Sequence, residues 1–228
     1  MARNFARIAP VAVVSAAALL LSACVGSPDH RGDTPAASSR PTAGRASLRP
    51  PSETTRACFV ELDRAGVRFT PLPDQDYGGG CHANGAVRLN DIGTPTTNVG
   101  AVTCSLGSHF AAWVRYAVKP AARQVYGQDI ARVETFGTYS CRNIYGGQSG
   151  RLSQHAFANA VDVSAFVLSD GRRITVLGGW RGEPDEQRFL RLIRDSACRR
   201  FGTVLSPDYN AAHANHFHLD MAQQNFCR

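Results

Sequence analysis

Lysine is almost absent from this 228-residue chain: Lys119 stands alone, and nearly all of the 25 basic side chains are arginines. The formal charge of +7 favours anionic polymers or lipid headgroups as neighbours, although scattered arginines usually describe a solvated exterior. No nucleic-acid-binding motif accompanies them, so no nucleic-acid partner is expected. No Cys-x2-Cys pair occurs, which argues against a zinc site made of thiolates. Gly78-Gly79-Gly80 has no Lys-Ser/Thr after it; it is not a phosphate loop and reads as a turn before Cys81. No internal repeat suggests a solenoid. The apolar run Ile8 to Leu21 is interrupted by Pro10 and Ser15 and falls short of the roughly 20 residues that a membrane-spanning helix needs.

That run instead has the layout of an export signal. Arg3 and Arg7 supply a basic start, and Leu21-Ser22-Ala23-Cys24 has the form of a bacterial lipoprotein cleavage site. Residues 1–23 are therefore expected to be removed and the Cys24 thiol lipidated, which would hold the chain to a membrane of the cell envelope, facing the periplasm. Val25, in place of an acidic residue, leans towards the outer membrane in a host with two membranes. Loss of Arg3 and Arg7 lowers the formal charge to about +5. Residues 24–55 are rich in Pro, Ser, Thr, Gly, Ala and Arg, with Leu48 almost the only large aliphatic side chain. Burial cannot offset the ordering entropy of such a stretch, so a disordered tether is expected. Residues 56–228 then form one domain, large enough for a single core.

Setting Cys24 aside leaves Cys58, Cys81, Cys104, Cys141, Cys198 and Cys227. An even set in an exported domain reads as disulfides, although six cysteines allow 15 connectivities. Pairing of sequence neighbours is the preferred expectation: Cys58 with Cys81, Cys104 with Cys141, and Cys198 with Cys227.

Periodicity predicts a short helix over Ala57 to Ala65, closed by Gly66, and a strand near Val67 to Phe69. A second helix is predicted from about Leu106 to Tyr126, kinked or broken at Pro120. Strands are expected at Ile130 to Thr138, Ala160 to Val167 and Arg173 to Leu177, the last two joined by the Ser169-Asp170-Gly171 turn. Phe189, Leu190, Ile193 and Ala197 make the apolar stripe of a helix from Pro184 to Phe201. Helices packed on a mainly antiparallel sheet give a single α+β domain.

Two segments carry the chemistry: Ser153-Gln154-His155-Ala156-Phe157-Ala158-Asn159-Ala160-Val161-Asp162 and His213-Ala214-Asn215-His216-Phe217-His218-Leu219-Asp220. His155, Asp162 and His218 make a candidate Zn2+ site of three protein ligands, with a fourth position left for water as in catalytic zinc centres. In one continuous helix His155 and Asp162 would lie about 10 Å apart along the axis, too far to share an ion. The chain must therefore turn back among the small residues between them and enter a strand that carries Asp162. A strand over His216 to Asp220 puts His216, His218 and Asp220 on one face and Phe217 and Leu219 on the other. His30, His82 and His109 have no ligand-spaced partner and read as solvated or hydrogen-bonded histidines.

The order Ser-x-His-x6-Asp followed by His-x-His is similar to the zinc peptidase superfamily of lysostaphin, the D-Ala-D-Ala metallopeptidases and sonic hedgehog. The run from about Cys58 to Cys227 resembles the bacterial extensin-like C-terminal domain family. Its points of likeness are Leu62-x3-Gly66-Val67-x-Phe69, Tyr139-Ser140-Cys141-Arg142-Asn143, Gly150-Arg151-Leu152-Ser153 and His216-Phe217-His218-Leu219-Asp220. The resemblance implies a hedgehog/DD-peptidase-like fold, zinc on His155, Asp162 and His218, proton handling or charge stabilisation by His216 and His213, and substrate carboxylate or oxyanion binding by Arg142. It places Ser153 as a supporting hydrogen-bond partner.

Two departures stand out. Asn215 occupies a position where many relatives have a carboxylate base, and an amide cannot take a proton at neutral pH. Ala158 stands where the superfamily usually has Gly, which would strain the turn if the backbone needs positive φ there. The expected function is zinc-dependent hydrolysis of an amide bond in peptidoglycan stem peptides or cross-links. The alternative is a non-catalytic, zinc-containing cell-wall binding or scaffolding module, which Asn215 favours. A structural wall protein is disfavoured because Ser-Pro repeats are lacking.

Overall fold

Val, Ile, Thr and Phe recur at alternating positions in the stretches that become the main sheet, where branched and aromatic side chains suit a pleated surface. The computed structural model describes residues 45–46, 50–146 and 149–228. The expected signal segment, Cys24 and most of the expected tether lie outside the described residues. In chain order the first elements are β1 (Arg45–Ala46), α1 (Glu53–Arg64), β2 (Arg68–Pro71), β3 (Gln75–Gly78), β4 (Cys81–Ala83), β5 (Ala86–Asp91), β6 (Thr96–Thr97) and β7 (Ala101–Thr103). Then come α2 (Cys104–Trp113), α3 (Lys119–Tyr126), β8 (Ile130–Gly137), β9 (Ala160–Leu168), β10 (Arg173–Thr175) and α4 (Val176–Gly179). The chain continues with α5 (Pro184–Cys198), β11 (Thr203–Leu205), β12 (Phe217–Asp220) and β13 (Phe226–Cys227).

The main sheet runs β13-β11-β12-β9-β8-β6, with β10 also paired to β9. Its ladders are antiparallel except β6 with β8 and β11 with β13. Two three-stranded sheets, β1-β3-β4 and β2-β5-β7, complete an α+β domain. Among the described residues no helix is long and apolar enough to cross a membrane. Almost every residue of β9 is buried, because helices cover one face of this central strand and the site elements cover the other end. On the helical face Trp113 meets Phe166 edge-on, Phe166 meets Phe189, and Trp113 Nε1 donates to the Ile193 carbonyl at 3.0 Å. Each of these buried aromatics contributes on the order of 2–3 kcal/mol, and the indole bond keeps its N–H from being stranded.

Pro120 neither ends nor sharply breaks the long helix. Between α2 and α3 the chain makes a π turn over Val114–Val118, in which Lys119 N–H reaches back to the Val114 carbonyl. The wider turn absorbs the missing proline N–H and its ring, and Pro120 sits in the first turn of α3, where a missing donor costs least. Gly127, at φ 65°, then closes α3 in the left-handed conformation.

Several expected boundaries shift for local reasons. The first helix begins at Glu53 because Ser52 caps it, its side chain accepting from Thr55 N–H at 3.1 Å. Arg45–Ala46, within the expected tether, pairs with β3. The strand expected over Arg173 to Leu177 stops at Thr175, whose hydroxyl accepts from Gly178 N–H at 2.9 Å and starts the short α4. The helix expected to Phe201 ends at Cys198, and the strand expected over His216 to Asp220 begins at Phe217, so His216 precedes it.

The disulfides correct the expected pairing. Cys58 bonds Cys104 and Cys81 bonds Cys141; only Cys198 with Cys227 joins sequence neighbours. Packing of α1 against α2 brings Cys58 and Cys104 to a Cα separation of 6.2 Å, and β4 approaches the segment after β8 so that Cys81 and Cys141 lie 5.6 Å apart.

Candidate metal centre and its cleft

Ser153 starts the turn that the sequence requires. Its hydroxyl accepts from His155 N–H at 3.4 Å, a single 3-10 turn covers Gln154–Phe157, and Ala158 reverses the chain at φ 52°. Ala158 does adopt the positive φ that its departure from glycine puts under strain. Its side chain is fully buried against Ala83 and Ala86. Left-handed backbone costs a non-glycine residue about 1–2 kcal/mol, and burial of the methyl offsets part of that.

Beyond the turn, β9 delivers Asp162 directly across from His218 on β12 and across from Gly137 on β8. Gly137 puts no side chain beside the carboxylate, so space remains over it. His155 Nε2 lies 3.1 Å from Asp162 Oδ2, His218 Nδ1 lies 3.0 Å from Asp162 Oδ1, and the two ring nitrogens are 3.2 Å apart. One ligand atom from each of the three residues falls within 4.8 Å of the others, all three residues being buried.

The donor set fits a metal ion. Each imidazole turns one nitrogen to the cluster while its other nitrogen is held from behind: His155 Nδ1 donates to the Thr138 carbonyl at 2.7 Å, and His218 Nε2 donates to Asp220 Oδ2 at 2.9 Å. Outer partners of this kind fix ring orientation and raise ligand basicity. Burial pushes the His218 pKa down, but the hydrogen bonds it donates to Asp162 and Asp220 overcome it and raise the value to about 9. Burial likewise disfavours the charged Asp162 carboxylate, yet the bonds to His155 and His218 hold it far below the usual carboxylate range.

Two more histidines stand at the rim. His216 Nε2 is 3.5 Å from Asp162 Oδ1, and its Nδ1 lies 2.8 Å from Asn215 Oδ1. His213 sits 5.1 Å from His216 between ring centroids, its Nδ1 being 2.7 Å from Asn210 Oδ1. Burial depresses both, with neighbouring histidines adding to it, and His213 falls to about 4. Both rings are thus neutral at pH 7. With the proton on Nδ1 donating to an amide oxygen, Nε2 is left as an acceptor. Asn215, which cannot serve as a base, orients His216 instead.

Arg142 approaches Asp162 Oδ2 to 3.9 Å while its side chain stays 41% exposed. The Cys81–Cys141 disulfide anchors the residue before it, and Ser153 N–H bonds the Arg142 carbonyl at 3.0 Å. His213, His216, His218, Arg142 and Arg151 line a cleft of about 510 Å3, within the size range of small-ligand sites. The structure therefore brings His155, Asp162, His218, His213, His216, Arg142 and Ser153 together, while Cys24 lies outside the described residues. His82 instead stacks on Phe157, and His109 bonds the Ser105 carbonyl. Sequence reasoning gave no role to Asp220, Thr138 or Asn210. Asp220 was reachable from its two-residue spacing to His218; the Thr138 carbonyl carries no sequence signal.

These features define a class: an α+β domain whose central strands hold a two-histidine, one-carboxylate cluster able to take a metal ion, at the base of an open cleft. The chain belongs to the family described as Extensin-like protein C-terminus, which matches residues 56–228. No curated protein and no solved structure matches the chain.

Proposed function

We propose that this protein is an exported, zinc-dependent peptidase of the cell envelope, lipid-anchored through Cys24, that hydrolyses an amide bond in peptidoglycan stem peptides or their cross-links. The observation that carries this reading is the convergence of His155, Asp162 and His218 at the base of a cleft, beside two neutral histidines and a half-exposed arginine. The reading includes kinship with the zinc peptidases of the D-Ala-D-Ala and hedgehog type. It rests on the order Ser-x-His-x6-Asp then His-x-His and on the chain reversal between the first two ligands.

His155, Asp162 and His218 would hold the metal, with Thr138 and Asp220 fixing the rings. Zinc there would supply Lewis acidity towards a scissile carbonyl and lower the pKa of water to about 7. His216 Nε2, neutral and facing the cluster, would take a proton from the attacking water as its oxygen bonds the carbonyl carbon, and return that proton to the leaving amine as the C–N bond breaks. Arg142 offers a fork of donors for a substrate carboxylate or the developing oxyanion. His213 supports His216 from the rim.

The second reading, a non-catalytic wall-binding module, is favoured by one observation: among the described residues, the carboxylates at the cluster are Asp162, a candidate ligand, and Asp220, bonded to His218. No acid stands free to act as a base. Elemental analysis of the oxidised domain, run beside His155→Ala and His218→Ala, tests the first step. One zinc per chain, lost in both variants, supports the site; no metal in folded protein after zinc incubation sinks the hydrolase. Digestion of cell-wall sacculi then separates the readings, since a zinc-loaded module that binds wall but releases no muropeptide is not the enzyme.

A further inference from the structure

A second groove, of about 1000 Å3, shares no lining residue with the cleft that Arg142 and Arg151 line, yet reaches that cleft's His216 through Phe136. Its wall includes Phe136 and Gly137 from the end of β8, and Asn90, Thr94, Thr96 and Asn98 from β5 and the segment that follows it. Phe136 is 57% exposed, and its ring meets His216 edge-on at 5.8 Å between centroids. Gly137 is the cross-strand neighbour of Asp162. From the same wall, Gly100 N–H donates to Thr138 Oγ1 at 3.1 Å, and the Thr138 carbonyl orients His155. The groove thus begins one side-chain contact from His216, and its wall holds the cross-strand neighbour of Asp162 and the residue that bonds Thr138.

The groove also runs along a sheet edge. Among the described residues β6 ends the main sheet and pairs on one side only, with β8. Pro95 and Thr97 turn their carbonyls towards β8, accepting from Val133 N–H at 3.0 Å and from Thr135 Oγ1 at 2.8 Å. Along a strand, successive residues point their backbone groups to opposite sides, so Thr96, which lines the groove, presents its N–H and carbonyl away from β8. An unpaired edge beside a pocket is the arrangement that captures extended peptides: main-chain bonds supply affinity and the pocket takes side chains. A volume of this size holds several residues. In the first cleft, Arg142 and Arg151 supply cationic groups suited to a carboxylate-bearing partner.

We propose that this groove is the second half of the substrate cleft: it binds an extended peptide along the free edge of β6, with Phe136 as a positioning residue, so that a cross-linked peptide crosses the His155–Asp162–His218 cluster with one arm in each pocket. The assignment rests on the peptidase reading and narrows it to a substrate with peptide on both sides of the scissile bond. A site built to trim a terminal residue would need only one such arm.

The test compares binding of purified cross-linked muropeptide dimers, uncross-linked monomers and peptide-free glycan strands by isothermal titration. It uses zinc-loaded protein and the same protein after chelation, which silences turnover. Dimers are expected to bind about tenfold more tightly than monomers, a difference of about 1.4 kcal/mol. Phe136→Ala removes an exposed ring, and Thr96→Pro removes one outward N–H at an edge where proline is tolerated. Each should erase most of the dimer advantage and leave monomer binding within about twofold, as loss of one interfacial contact predicts. Circular dichroism and zinc content confirm that the variants fold; if Thr96→Pro does not, Phe136→Ala decides. Equal binding of dimer and monomer, or equal weakening of both by the variants, overturns the proposal. Glycan strands competing for the groove also overturn it, in favour of a carbohydrate arm. Dimer preference without sacculus digestion removes the hydrolytic reading alone, and digestion without dimer preference removes the groove alone.

Discussion

His155 and His218 lie at the floor of the cleft, and His213 and His216 at its rim, yet the two pairs differ in both support and charge. The floor pair stands on or beside central strands and is held from behind by a backbone carbonyl and by the Asp220 carboxylate. The rim pair comes from a 3-10 turn and the loop before β12, and is held by the amide oxygens of Asn210 and Asn215. His218, between two carboxylates, is raised to about 9, whereas His213, half-buried and bonded to no carboxylate, falls to about 4. The partner's charge, more than burial alone, sets what a shielded imidazole can do. A carboxylate makes it a cation binder, and an amide leaves it a neutral acceptor.

The sharpest way to break the comparison is to neutralise the acid behind the floor. Asp220→Asn keeps the shape but removes the charge, and metal affinity should fall about 10- to 100-fold, measured by competition with a chromophoric chelator. An unchanged affinity would show that the carboxylate does nothing for the floor.

Acid sharpens the same contrast. Metal must displace the proton that His218 holds below about 9, so apparent affinity should rise up to about tenfold per pH unit from 6.5 towards 9 and then level off. Folding of the metal-free domain follows the same signs. The raised His218 adds stability that is complete below its ordinary 6.5 and is lost as pH rises through about 9. The depressed Asp162 adds stability above its ordinary 3.8 that is lost in acid, and His213 withdraws stability as pH falls from 6.5 towards 4. Chemical denaturation across this range, with and without zinc, checks both limbs.

At the rim, Asn215→Ala should lower kcat roughly tenfold with zinc stoichiometry intact, since one orienting hydrogen bond of about 1 kcal/mol or slightly more is lost. Loss of metal in this variant would make the rim part of the floor. The smallest effect belongs to Ala158→Gly. Relief of about 1–2 kcal/mol of left-handed strain is opposed by about 0.8 for the buried methyl and about 0.5–1 for glycine's chain entropy. The melting temperature should therefore move little, and a large drop would show that packing against Ala83 and Ala86 dominates.

Much of the floor was legible before the fold was known. The distance argument required a reversal between His155 and Asp162, and the two-residue period put His218 and Asp220 on one face opposite Phe217 and Leu219, which are fully buried. The long helix through Pro120 was legible as a helix, but not its π turn, because a proline signals a disruption without saying how the backbone absorbs it. The strands between Gln75 and Thr103 escaped notice: they are two to six residues long, too short for period two to rise above Gly- and Thr-rich turns. The groove beside Phe136 was invisible for the same reason, since β6 is an edge only by virtue of which strand lies next to it.

Residue type and local spacing determined the three candidate ligands, the turn between the first two, the α+β class and the set of six paired cysteines. Those properties depend on a few neighbouring residues and their periodicity. Tertiary structure alone decided that Cys58 meets Cys104 and Cys81 meets Cys141, that Thr138 stands behind His155, and that Phe136 stands over His216. Each of these joins residues whose separation along the chain carries no signal, and they meet because packing the sheet and helices leaves them nowhere else to go.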